Sequence, residues 1–117
     1  MKDRTKMEPE PEYTKLGKRF KTKWLKALRS GNFKVARKTL IRIDDGDIIG
    51  YCCIAVGVAA LRNAKPGVEL KELTPDDTNE ASTEIGLDEK TNGKLIELND
   101  DKLWSFNKIA NWIEKHL

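Results

Sequence analysis

The chain has very little histidine: among 117 residues, His116 is the only imidazole. Any chemistry that needs a histidine base therefore has one candidate. Cysteine is almost as scarce, and the two present, Cys52 and Cys53, are neighbours. Adjacent cysteines meet the geometry of an unstrained disulfide poorly, so no structural staple is expected and a reducing, cytoplasmic setting is. Two adjacent thiols and one imidazole also lack the ligand spacing of a tetrahedral zinc site, so no metal is expected. There is no phosphate-binding P-loop and no Gly-x-Gly-x-x-Gly, hence no expected cofactor. A membrane helix needs roughly 20 apolar residues in succession. The run Ile48–Leu61, fourteen residues without a charge, falls short of that. The opening MKDRTKMEPEPEY is charged and carries proline, with no apolar signal region, so neither export nor membrane insertion is expected.

That uncharged run is the feature around which the rest is arranged. In a chain with 35% charged residues its natural place is the interior. Ile54, Ala55, Val56, Val58, Ala59 and Leu61 cover every side of a helix drawn over 52–63, which predicts burial all round. Gly57 lowers helix propensity by about 1 kcal/mol relative to alanine. Close approach of a neighbouring backbone is one reason for it to be there.

Residues 1–11 read as a disordered tail and 12–117 as one α+β domain, a length suited to a single modest core. Tyr13, Leu16, Phe20, Trp24 and Leu28 recur at helical spacing and predict an amphipathic helix over 12–29, stopped by Gly31. Thr39–Ile43 and Ile48–Tyr51 flank an Asp45-Gly46 turn of type I′, giving an antiparallel hairpin. The alternation in 68–73 can add a third strand. Thr74-Pro75 predicts a helix start that runs to about Gly86. Asp88 can cap a helix over 89–98 carrying Leu87, Thr91, Leu95 and Leu98 on one side; Asn92-Gly93 leaves a hairpin turn as the alternative. Ser105 caps the last helix, whose buried stripe is Phe106, Ile109, Ala110, Ile113 and Leu117. The fold expected is a buried central helix packed by amphipathic helices, with a small antiparallel hairpin or three-stranded sheet.

Charge is unevenly divided. Residues 1–43 hold fourteen Lys/Arg and four Asp/Glu, a net +10, whereas 44–117 hold eight and fifteen, a net −7. Lys15, Lys18, Arg19, Lys23, Lys26 and Arg29 share the outer arc of the first helix, and Arg37 and Lys38 follow. These residues can meet an anionic partner, either an anionic small molecule or nucleic acid. The alternative is a solvated face that balances the acidic half.

Two further groups carry chemistry. Cys52 and Cys53 lie where a strand turns into a helix, and the helix N-terminus lowers the pKa of a thiol there. A Cys-His hydrolase or transferase would take one of them as nucleophile and His116 as base, with Asn99 or Asp100 to orient the imidazole. The competing reading is inert core packing, common for free cysteine. Tyr51, Asn99, Asp100 and Trp104 can border a small-ligand cleft near the central helix; otherwise Asn99 ends a helix in the left-handed conformation and Asp100 lies in the following turn.

Trp24-Leu-Lys-Ala-Leu-Arg-Ser-Gly31, Tyr51-Cys-Cys53, Leu98-Asn-Asp100 and Ser105-Phe106 with Ile109-Ala110 and Ile113-Glu114 occur in that order. Together they resemble a family of small proteins of tailed phages, prophages and plasmids, over most of 23–117. Ala55 stands where the pattern has glycine, and Val58 where many members have another cysteine. The resemblance implies a phage-accessory setting in a host cytoplasm and no particular chemistry. The resulting expectation is a non-enzymatic accessory protein that binds a host macromolecule or an anionic small molecule, for instance by sequestering a nucleotide defence signal.

Overall fold

The computed structural model describes residues 12–117. The tail expected over 1–11 lies outside the described residues. The elements are α1 (Lys18–Arg29), β1 (Ile41–Asp44), β2 (Asp47–Tyr51), α2 (Cys53–Arg62), α3 (Thr78–Glu84), α4 (Glu89–Ile96) and α5 (Phe106–His116). A π-helical turn, Glu97–Asp101, continues α4. This is an α+β architecture with one small antiparallel hairpin.

Helix α2 is the interior rod. Every residue from Cys53 to Ala59 is buried; only its last turn emerges, with Leu61 39% exposed, contrary to the burial expected of it. Left-handed Asn63 ends the helix, its N–H reaching Ala59 O and Ala60 O. Gly57 is explained by side chains, where a backbone had been expected. A Cβ there would stand 2.8 Å from Ile85 Cδ1 and 3.0 Å from Trp24 Cε2. The indole of Trp24 lies across the helix and donates from Nε1 to Cys53 O at 3.0 Å. Helix α1 thus docks with both its apolar area and its one indole N–H satisfied.

The hairpin forms at the expected turn: Asp45 and Gly46 have φ of 54° and 85°, the pair of positive values that a type I′ turn demands. Ile41 pairs with Tyr51, Arg42 with Gly50 and Ile43 with Ile48, so Ile49 bulges out of register. No third strand comes from 68–73. That stretch is a run of turns with Glu72 at φ 68°, and its alternation anchors only Leu70. The outer edge of β2 is instead met by 34–36: Ala36 N–H donates to Tyr51 O at 2.7 Å and Tyr51 N–H to Lys34 O at 2.8 Å.

Two other boundaries move, each because a tertiary bond outcompetes local propensity. Residues 12–17 are not helical. Thr14 N–H donates to Thr91 Oγ1, Asp88 N–H to Thr14 Oγ1, and Leu16 N–H to Leu117 O, which stitches the segment onto α4 and α5. Thr74-Pro75 forms a turn before α3, because Pro75 O accepts from Leu40 N–H and Thr39 Oγ1. The 89–98 segment is a helix capped by Asp88, which accepts Thr91 N–H, and not a hairpin. Ser105 caps α5 by accepting Lys108 N–H. Among the described residues no helix is long and apolar enough to cross a membrane.

Candidate functional site

Asn99 is the hub at the start of α2. It is 1% exposed, and the π-helical turn directs it inward instead of ending a helix in the left-handed region. Its Oδ1 accepts Cys53 N–H at 3.1 Å, and its Nδ2 donates to Ala36 O at 2.9 Å and to Asp100 Oδ1 at 2.7 Å. Arg37 donates to the backbone carbonyls of Asn99 and Trp104. One amide therefore ties three segments together with its side chain satisfied at both ends.

Beside this hub is a cavity of about 140 Å³, bordered by Lys38, Thr39, Cys52, Cys53, Asp76, Thr78, Asn99 and Asp100. Asn99 and Asp100 of the expected cleft meet here. Tyr51 does not line it: its hydroxyl accepts Gly67 N–H at 2.8 Å in a separate hollow. Trp104 also lies apart, with Lys108 Nζ 4.4 Å above its ring.

Burial overrides the helix dipole at both thiols. Cys52 is pushed up to about 12, with the amides of Ala55 and Ile54 pulling the other way and the charge of Asp100 adding to the rise. Cys53, fully buried, is raised well above the usual thiol value by desolvation and by Cys52 and Asp100; its Sγ faces Leu95 O at 3.7 Å. The lowered pKa expected of a thiol at that turn is not found. His116 packs on Trp112 and Tyr13, ring centres 4.8 and 6.2 Å away, and does not border the cavity of the thiols. Among the described residues no three metal-ligating side chains of the His, Cys, Asp or Glu kind cluster.

The basic residues do not share one surface. Arg29 binds Asn111 and Glu114, at 2.8 and 2.7 Å, joining α1 to α5. Lys15 Nζ donates to His116 O, and Arg37 is bound within the hub. Lys18 and Arg19 lie exposed in the first turn of α1, and Lys38 stands at the small cavity. Lys23 and Lys26 face a larger groove of about 500 Å³ between α1 and the end of α2. Lys65 joins them there, along with Ser30, Asn32 and Asn63. Ala27, Phe33, Ala59, Ala60, Ala64 and Pro66 make its apolar floor. Among the described residues no carboxylate lines it. Lys23 Nζ is positioned by Asn63 Oδ1 at 2.9 Å.

Across Asn32 and Pro66 a second hollow of about 610 Å³ begins, walled by Lys34, Ile48, Ile49, Tyr51 and Gly67. Lys65, Asn32 and Asn63 were not singled out from sequence. They sit in loops: Asn32 follows the end of α1, and the left-handed turn after α2 brings Asn63 and Lys65 opposite that helix.

Comparison with protein-family models, curated proteins and solved structures finds no match for this chain, so its function is argued from its own geometry.

Proposed function

We propose that the chain is a non-enzymatic binding protein that holds a phosphorylated small molecule in the groove between α1 and the end of α2. The observation that carries this reading is that Lys23, Lys26 and Lys65 line one groove over an apolar floor, with no carboxylate along the wall among the described residues. Ammonium groups around a concave apolar surface favour a ligand that pairs a flat ring with an anionic group, as a nucleotide does. A hydrogen bond to a charged partner contributes about 1.5–3 kcal/mol, so two or three such lysines supply part of the roughly 8 kcal/mol of micromolar binding and a base stacked on the apolar floor supplies the rest. The resemblance to small phage and prophage proteins supports an accessory role, in which sequestering a nucleotide signal needs binding and no turnover. The raised pKa of both thiols and the separate placement of His116 weigh against a Cys-His reaction.

Titration calorimetry with adenosine and guanosine monophosphates at low and high salt tests the proposal. Micromolar binding that weakens at least about tenfold in Lys26→Glu and in Lys65→Glu is expected. Absence of binding at low salt, or binding indifferent to both substitutions, overturns it. Both lysines are exposed, so neither change disturbs the core.

A further inference from the structure

The groove of the proposed function does not end at its own rim. Asn32 and Pro66 border both it and the neighbouring hollow, so the two are lobes that meet along a shared rim, the saddle between them. The saddle has a rigid foundation. Phe33 of the first lobe meets Tyr51 of the second edge to face, ring centres 4.9 Å apart, and the Tyr51 hydroxyl holds Gly67 N–H. Each lobe is large enough for a nucleoside: about 500 Å³ in one and about 610 Å³ in the other. Each has an apolar wall and at least one lysine, and among the described residues neither is lined by a carboxylate.

We infer that the ligand is a dinucleotide, one base in each lobe, with the linking phosphate crossing the saddle at Asn32 between the lysines of α1 and Lys34. This rests on the binding reading above and narrows it. Two modest sites joined by a short covalent link bind far more tightly than either alone, because the second contact becomes intramolecular. The side-chain amide of Asn32 at the crossing can donate to a phosphate oxygen. Lys34 and Ile49, exposed on the wall of the second lobe, then matter for the longer ligand and not for a mononucleotide held in the α1 lobe.

The experiment compares adenosine monophosphate, the dinucleotide pApA and the tetranucleotide pApApApA by calorimetry, with the native chain and with Lys34→Glu and Ile49→Asp. Expected is a dinucleotide at least about tenfold tighter than the mononucleotide, a tetranucleotide no tighter, and loss of the gain in both variants with the Lys26-dependent mononucleotide binding of the α1 lobe kept. Equal affinity for mono- and dinucleotide, with mononucleotide binding still dependent on Lys26, overturns the inference and leaves the broader proposal standing. A gain that survives both substitutions also overturns it. Affinity rising steadily with chain length overturns it in favour of single-stranded nucleic acid. No binding of any of the three removes both readings. Thermal unfolding of the variants confirms that they are folded, and two substitutions on separate elements guard against a local collapse.

Discussion

Asn99 accepts the first N–H of the central helix: its Oδ1 lies 3.1 Å from Cys53 N. The N-cap residue, Cys52, makes no side-chain capping bond, so the cap comes from 46 residues further along the chain. A helix buried along most of its length cannot leave that N–H to water, and the remote amide meets the need.

Replacing Asn99 with alanine should destabilise the fold by about 2–4 kcal/mol, since the buried Cys53 N–H and Ala36 O would both lose a partner. Urea denaturation followed by circular dichroism measures this. A loss under about 0.5 kcal/mol, the level of a neutral surface change, would show that water replaces the amide.

Gly57→Ala should be destabilising by about 1–3 kcal/mol even though alanine is the better helix former. The added methyl would stand 2.8 Å from Ile85 Cδ1, which must shift, and 3.0 Å from Trp24 Cε2, whose indole is held by its bond to Cys53 O. The double variant Gly57→Ala with Ile85→Val would recover part of the loss. A more stable Gly57→Ala protein would contradict the packing described.

The thiols should be silent towards iodoacetamide at neutral pH and react once the protein is denatured, as followed by mass spectrometry. Their folded-state pKa values are raised, so the folded state holds its thiol protons more tightly than the unfolded chain. That contribution is complete below the ordinary thiol value and is lost as pH rises from about 9 towards about 12. Cys52→Ala should therefore flatten the alkaline fall in stability. An unchanged alkaline limb would mean that other groups control it.

Acid acts through carboxylates in the opposite sense. Asp88 is held below the usual range by hydrogen bonds from Thr91, with Thr14 adding to them, and Glu114 by Arg29. Their contributions are present above the ordinary carboxylate values and are lost as pH falls through the depressed ones. Asp88→Asn, which keeps a capping acceptor without a charge, should lessen the acid dependence at Asp88 while leaving α4 capped. Stability against pH between 2 and 6 checks this, and equal slopes for native and variant chains would refute it.

Much of this fold was legible wherever a local pattern agreed with its tertiary setting. Asp45-Gly46 could form only a tight reversal, the uncharged run had to be interior and is so except at Ile49 and its last turn, and Thr91, Leu95 and Leu98 kept one side of a helix. Legibility failed where distant partners decided. Tyr13 and Leu16 do pack on the core, yet from an extended segment, because Thr14 and Leu16 bond to α4 and α5. Pro75 could not start a helix while its carbonyl served the loop before β1. Of the expected cleft, Asn99 and Asp100 come together because one turn carries both; Tyr51 and Trp104 part because a bulged hairpin and a loop place them. The lysine groove was half visible, through Lys23 and Lys26, and its far wall depended on a turn that composition does not reveal.

The π-helical turn over Glu97–Asp101 accommodates one residue more than an α-helical turn would. Removing a single codon there would let the helix run on in regular phase, swinging position 99 by roughly 100° off the start of the central rod. Frame-preserving loss of one amino acid in this short stretch should thus be worse tolerated than most replacements within it, and a deletion scan would find its sharpest boundary at Glu97.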